Sequence, residues 1–272
     1  MRTLKNHLIL FDADCPLCTL YTRGFVNLGI LEKEGRLPYQ EFEDAVCPLF
    51  DRQRAVNEIA LVNQETGEVS YGISSLFKVF GTIVPILKPL FEFAPFVWLM
   101  GKVYAFISYN RRVIMPPESV DSNVVQPSFS LVYRIAYLIF TWLVTAYILS
   151  VYAKLMTGIL PQGPAYREYL ICGGQIFFQG IVIGFISRER RWDYLGNMMT
   201  ISVTGALLLL PGLFVAHWFI ITPLVYIGWF MCVAGFMLIL HLKRSKLLGI
   251  GLGLTFSWVL YRLIVLTIIL LV

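Results

Sequence analysis

Apolar residues follow two regimes along this chain. Through about residue 117 they come in short runs and helical stripes separated by polar turns; beyond residue 130 they fuse into runs of spanning length. In the first regime residues 7–12 read as a buried strand, short, apolar and bounded by turn-like residues. Pro16 fits the first position of a helix, where its missing N–H has no partner to lose. Leu17, Leu20, Tyr21, Gly24, Phe25, Leu28 and Leu31 then recur at helical spacing, the stripe of a helix packing on a sheet. Residues 37–42 predict a second strand, placed at an edge by Pro38. Residues 58–62 and 68–71 predict a third and a fourth, joined as a hairpin by residues 63–67. Ser74 or Ser75 is positioned to cap a helix running through Phe80.

Residues 79–109 look like membrane at a glance. Lys88, Glu92 and Lys102 interrupt them, however, and Pro85, Pro89 and Pro95 break them further, so no uncharged run approaches the ~20 residues a spanning helix needs. The reading is apolar helices that cover the sheet or lie on a bilayer surface. The chain therefore divides into a first domain over 1–117, a polar, proline-bearing linker over 118–129, and a helical membrane domain over 130–272. Spanning helices are expected near 131–155, 169–187, 195–211, 216–241 and 247–270, with Pro211-Gly212 breaking the longest apolar stretch. The fold class expected is an α/β N-terminal domain followed by an all-α bundle of five transmembrane helices.

Charge sharpens this division. Residues 1–129 carry 12 basic and 14 acidic side chains, and residues 130–272 carry 10 basic and 3 acidic. The net charge of +5 thus comes from the apolar half and is no nucleic-acid footprint. Arg111 and Arg112 precede the first spanning helix, Arg188, Arg190 and Arg191 follow the second, and Lys243, Arg244 and Lys246 follow the fourth. The opposite-side segments hold only Lys154 and Arg167, offset in part by Glu168. By the positive-inside rule the N-terminal domain faces the cytoplasm of an inner or plasma membrane and the C-terminus lies outside. The run over residues 8–11 is too short for the core of a signal peptide, so none is expected.

The chemistry concentrates in Phe11-Asp12-Ala13-Asp14-Cys15-Pro16-Leu17-Cys18, where a strand feeds a Cys-x-x-Cys at the head of a helix. In a cytosolic βαβ setting this is a thioredoxin-like redox pattern. Helix-end N–H groups stabilise a thiolate, so Cys15 is the expected nucleophile. Cys18, one turn on, is placed to resolve a mixed disulfide. Asp12, at the strand end, is a candidate acceptor or relay for the second thiol's proton. Asp14 opposes a thiolate at Cys15, and the nearest cation in sequence is Arg23, which leaves the net shift open. Two other readings stay in view. The cysteines would be core residues, or His7, Cys15, Cys18 and Cys47 would form a zinc site, although one Cys-x-x-Cys knuckle is half of such a site. Cys47 is otherwise a single packed thiol or a third redox thiol. Five cysteines are too few and too scattered for a disulfide framework.

The Asp12-x-x-Cys15-x-x-Cys18 segment resembles the signature of the DCC family, thioredoxin-like proteins named for this motif and regarded as thiol-disulfide oxidoreductases. Residues 103–112, Val-Tyr-Ala-Phe-Ile-Ser-Tyr-Asn-Arg-Arg, are similar to the stretch that closes family domains, and Gly72–Ser75 is a looser match. The resemblance covers about residues 5–116. It implies Asp12, Cys15 and Cys18 as functional residues in a thioredoxin-like fold. Thioredoxin-type proteins carry a proline before the third strand, where this chain has Val56-Asn57-Glu58, and that narrows the range of protein substrates expected.

The expected function is a membrane-bound thiol-disulfide oxidoreductase acting on a protein or small-thiol disulfide, with membrane lipid as its other partner and no nucleic acid, metal or organic cofactor. The alternatives are a membrane scaffold or partner-binding protein with a redox-inactive domain, or a transmembrane electron relay through Cys172 and Cys232. Gly180-x-x-x-Gly184 and Gly249-x-x-x-Gly253 are small-residue faces through which copies of the chain would associate. Arg262 is expected to snorkel to the outer interface, the alternative being a functional charge facing the bundle.

Overall fold

The computed structural model describes residues 3–42, 49–117 and 127–271, which form two compact units, Met1–Tyr133 and Arg134–Val272. The first is built on a mixed sheet of β1 (His7–Phe11), β2 (Arg36–Pro38), β3 (Ala60–Asn63) and β4 (Val69–Tyr71), in the order β2-β1-β3-β4. β1 runs parallel to β2 and antiparallel to β3, and β3 and β4 form an antiparallel hairpin. Pro38 sits on the edge strand opposite Phe11, where its missing donor costs no ladder bond on the open side.

Side chains alternate across β1. Leu8 and Leu10 join Tyr39, Phe42, Phe50, Ala55 and Val62 on one face, and Ile9 joins Phe25, Leu31, Leu61 and Val79 on the other. Helices therefore cover both faces: α1 (Pro16–Asn27) and α3 (Ile73–Ile83) the Ile9 side, and the short α2 (Arg52–Ala55) the Leu10 side. Ile9 and Leu10 are fully buried, each worth about 1.5–3 kcal/mol of transfer free energy.

Several sequence expectations shift. The α1 stripe holds in part: Leu17, Tyr21, Phe25 and Leu31 pack inward, Leu20 and Leu28 are exposed, and Cys18 and Thr22 join the buried face, with the Thr22 hydroxyl satisfied by the Cys18 carbonyl at 2.7 Å. No serine caps α3. Gly72 stands at its N-cap with φ +59°, and Ser75 instead donates to the Ser70 carbonyl at 2.7 Å. The second strand stops at Pro38 and gives way to a 3-10 turn, Tyr39–Glu41.

Residues 79–109 fold as α3, a 3-10 turn, α4 (Lys88–Glu92) and α5 (Ala94–Ile114), with the segments before and after Phe93 bent by 90°. Phe77 of α3 stacks on Phe91 and Phe96, which ties this elbow to the sheet domain. Ile86, Phe93, Trp98 and Leu99 remain exposed.

Among the described residues five helices are each long and apolar enough to cross a membrane: α6 (Leu131–Ala153, continued by a 3-10 turn), α7 (Arg167–Ile186), α8 (Arg191–Trp218), α9 (Pro223–Leu247) and α10 (Gly253–Leu271). The protein is on this basis an integral membrane protein. The expected break at Pro211-Gly212 is corrected: α8 runs through Pro211, and the chain turns instead at 219–222, where Pro223 opens α9. Pro211 offers no N–H to the Leu207 carbonyl, a loss that spanning helices tolerate, and on the next carbonyl, that of Leu208, Trp229 Nε1 of α9 donates at 2.9 Å. Gly249 is also corrected. It lies in the α9–α10 loop at φ +62°, so the Gly249–Gly253 pair forms no helix face, whereas Gly180 and Gly184 do lie on α7.

Candidate functional site

The site forms where β1 ends and α1 begins. Cys15 is the N-cap of α1, its backbone extended (φ −97°, ψ 106°), and its sulfur accepts the Cys18 amide N–H at 3.3 Å. Pro16 at the next position removes a donor that would compete for nothing. A sulfur at the cap thus receives both a hydrogen bond and the positive end of the aligned peptide dipoles. The thiols are free, and both are buried, Cys15 with no exposed surface and Cys18 with 4%, against Phe11, Leu17 and Tyr21.

The two thiols are pushed apart in acidity. Cys15 is lowered to about 7, first by a hydrogen bond with the Cys18 side chain and then by the Arg111 charge and the Cys18 amide, against the opposing effects of burial and of Asp12. Cys18 is raised well above the usual thiol value, because the same bond holds its proton and burial disfavours its thiolate. Asp14, which the sequence sets against a Cys15 thiolate, does not decide the balance.

What decides it beyond the cysteines is Arg111, brought from α5. Its Nη2 donates to Asp12 Oδ2 at 2.7 Å and to the Val56 carbonyl at 2.6 Å, and its Nη1 reaches the Asn57 carbonyl at 3.3 Å. Both members of the pair are buried, Arg111 with 4% and Asp12 with 2% of their surface exposed. Arg112 stands further off, 3.9 Å from the same carboxylate oxygen. Gln40 closes the other side: its amide donates to Asp12 Oδ1 at 3.0 Å, and its carbonyl accepts the Ala13 N–H at 3.2 Å. The Asp14 amide donates to Asp12 Oδ1 at 3.1 Å. Two more α5 residues hold the segment before β3, the Tyr104 hydroxyl accepting the Ile59 N–H at 2.9 Å and Ser108 donating to the Asn57 carbonyl. Where the sequence lacks a proline, α5 thus clamps Val56-Asn57 through their carbonyls.

The structure brings Asp12, Cys15 and Cys18 together as the spacing predicts, with Asp12 engaged by Arg111, Gln40 and the Asp14 amide. Among the described residues no hydrogen bond joins Asp12 to Cys18. Sequence reasoning missed Gln40, Tyr104 and the role of Arg111, which it assigned to membrane orientation. One signal was available: a carboxylate at the end of a buried strand needs a cation or donors, and none lay nearby in sequence.

Among the described residues no three His, Cys, Asp or Glu side chains converge as a metal site requires. His7 turns its Nδ1 to the Lys5 carbonyl at 2.7 Å. Cys47, both as a zinc ligand and as a third thiol, lies outside the described residues. Cys172 and Cys232 are free thiols on α7 and α9, with Cys232 on an exposed face. Comparison with protein-family models, with curated proteins and with solved structures finds no match to this chain.

Proposed function

We propose that the first unit is a thioredoxin-like domain of the DCC type, and that the protein is a membrane-bound thiol-disulfide oxidoreductase. The fold reading is supported by the element order β-α-β-α-β-β-α, the sheet order β2-β1-β3-β4 and the helices on both faces. The observation that carries the function is two free thiols one turn apart at a helix N-terminus, Cys15 capping α1 and accepting the Cys18 N–H, an arrangement that with Arg111 lowers Cys15 to about 7 while Cys18 is raised. A nucleophile must be a thiolate near neutral pH, and a resolving thiol must keep its proton until it is needed.

In this reading the Cys15 thiolate attacks one sulfur of a substrate disulfide. A Cys15–substrate bond forms, and the other substrate sulfur leaves as a thiolate that takes a proton from solvent. Cys18 then gives up its proton and attacks Cys15 Sγ, so that a Cys15–Cys18 disulfide forms and the second substrate thiol is released. Two electrons pass from the dithiol to the substrate, and an external dithiol reductant restores the pair. Arg111 stabilises the Cys15 thiolate, and Asp12 holds Arg111 in place. On the cytoplasmic side expected from loop charge, reducing pools favour this direction over disulfide formation.

The experiment is a trap. Cys18→Ser in the full chain accumulates a mixed disulfide through Cys15 that reductant releases, and Cys15→Ser abolishes it. Absence of any Cys15 adduct from cells expressing Cys18→Ser sinks the exchange reading.

One observation favours a second reading, a partner-binding domain without turnover. Cys15 has no exposed surface, so a substrate reaches its sulfur only after neighbouring side chains move. On that reading the trap yields nothing and Cys15 resists alkylation in the folded protein.

A further inference from the structure

Arg262 is the tenth of the 19 residues of α10, so it lies about 14 Å along the axis from either end of that helix. It does not reach for the C-terminal end of α10 as snorkelling to the outer interface would require. Its guanidinium stacks back over the ring of Trp258, one turn toward the N-terminus, at 4.2 Å. Among the described residues it makes no hydrogen bond and no ion pair, and its Nε is buried without a partner. An uncompensated charge at the middle of a spanning helix is costly and marks a functional site by default.

Trp258, whose ring lies against the guanidinium, has a buried Nε1 donor without a partner, and Gln175 on α7 has another at Nε2, the two residues being 3% and 4% exposed. Two hydrogen bonds set their level. Tyr261 donates to the Ile171 carbonyl at 2.9 Å, and Gln179 donates to Ser257 at 3.1 Å, which pairs α10 with α7 in antiparallel register. Gln175 lies midway between Ile171 and Gln179 on α7, and so stands level with the turn from Trp258 to Arg262. Trp258 is locked in place by stacking on His241 at 5.0 Å. Arg262 and Cys172 are each only partly buried.

The seam thus presents one unpaired cation with the buried, unbonded Trp258 N–H beside it and the Gln175 amide at the same level. We infer that the α7–α10 seam binds the carboxylate of a lipophile, a long-chain fatty acid, whose two oxygens accept from Arg262, Trp258 and Gln175 while its chain lies along the exposed helix faces. A planar carboxylate matches a guanidinium in charge and in donor geometry. The apolar surroundings require that the acid carry a hydrocarbon tail. This site rests on the spanning helices and is independent of the dithiol.

The test uses the full chain, delipidated and held in detergent, with a long-chain fatty acid carrying a fluorescent reporter at its methyl end. Saturable binding near one per chain is expected, displaced by unlabelled long-chain acid and not by its methyl ester. Arg262→Gln weakens binding about tenfold or more, and Arg262→Lys, which keeps the charge but not the planar fork, weakens it less. Trp258→Phe, which keeps the ring and removes the N–H, weakens binding less. The ester competition needs no variant, so it decides the matter even if Arg262→Gln does not fold. The inference is overturned by absence of saturable binding, by a methyl ester or a neutral quinone competing as well as the acid, or by a monodisperse Arg262→Gln chain that binds like the wild type.

Discussion

Arg111 is the residue on which the dithiol site turns, because one planar cation meets a buried carboxylate, two backbone carbonyls and the field of a thiol. Its removal has two separable effects. The Cys15 thiolate is the charged form, so losing a nearby cation disfavours it. The midpoint for alkylation of Cys15, expected at about pH 7 in the wild type, therefore moves up in Arg111→Gln. Rates of iodoacetamide reaction against pH measure this, and an unmoved midpoint removes Arg111 from the chemistry. Stability changes as well, since Asp12 stays buried with only Gln40, the Asp14 amide and the more distant Arg112 against its charge, at a cost of up to about 3–5 kcal/mol. Asp12→Asn added to Arg111→Gln recovers part of that loss, which thermal unfolding of the double variant reads. The dithiol was legible in sequence because its parts lie within seven residues on one strand and one helix. Arg111 was not, because it is 99 residues from Asp12 and nothing local distinguishes a buried arginine from a loop charge.

At the scale of elements, Gly72 links the hairpin to α3 in a conformation that L side chains avoid, φ +59° with ψ −128°. A Cβ there would stand 2.8 Å from Glu58 Oε2 and 3.3 Å from the Tyr104 ring, beside the segment that α5 clamps. Gly72→Ala is expected to cost about 1–3 kcal/mol locally. Amide exchange in β4 and the first turn of α3 speeds up accordingly, while the spanning helices are unchanged. The positions of β1, β3 and β4 followed from alternation and turn residues to within about two residues, while β2 ends at Pro38, four residues before the expected end. The α1 face followed only in part, and the α8 break did not. A stripe of leucines marks a helix without saying which flank meets a sheet, and a proline removes one helical hydrogen bond without saying whether the helix ends there.

At the scale of the molecule, the buried pairing of Arg111 with Asp12 changes the orientation argument. Arg111 is neutralised inside the first unit and adds little positive charge beside a bilayer. Arg244 is likewise engaged, donating to Asn197 at 2.9 Å. The bias then rests on Arg188, Arg190, Arg191, Lys243 and Lys246 against Lys154 and Arg167, which keeps its direction. An impermeant maleimide is therefore expected to label Gly163→Cys, between α6 and α7, on intact cells. Glu189→Cys, between α7 and α8, is expected to be labelled only after lysis. The opposite pattern reverses the orientation.

The amino-acid sequence by itself determined where the chain changes solvent, how many helices are long enough to span, and where a dithiol meets a helix start. These are local properties, set by hydropathy over a window, by backbone periodicity and by residues within a turn of one another. Only the tertiary structure decided what stands against the dithiol, that both thiols are buried, that α8 continues through Pro211 and that Arg262 lies unpaired against the ring of Trp258. Each of these depends on side chains from segments far apart in sequence meeting in a medium of low dielectric. There a single charge or an unpaired N–H counts for several kilocalories, and no window of sequence records who its neighbours are.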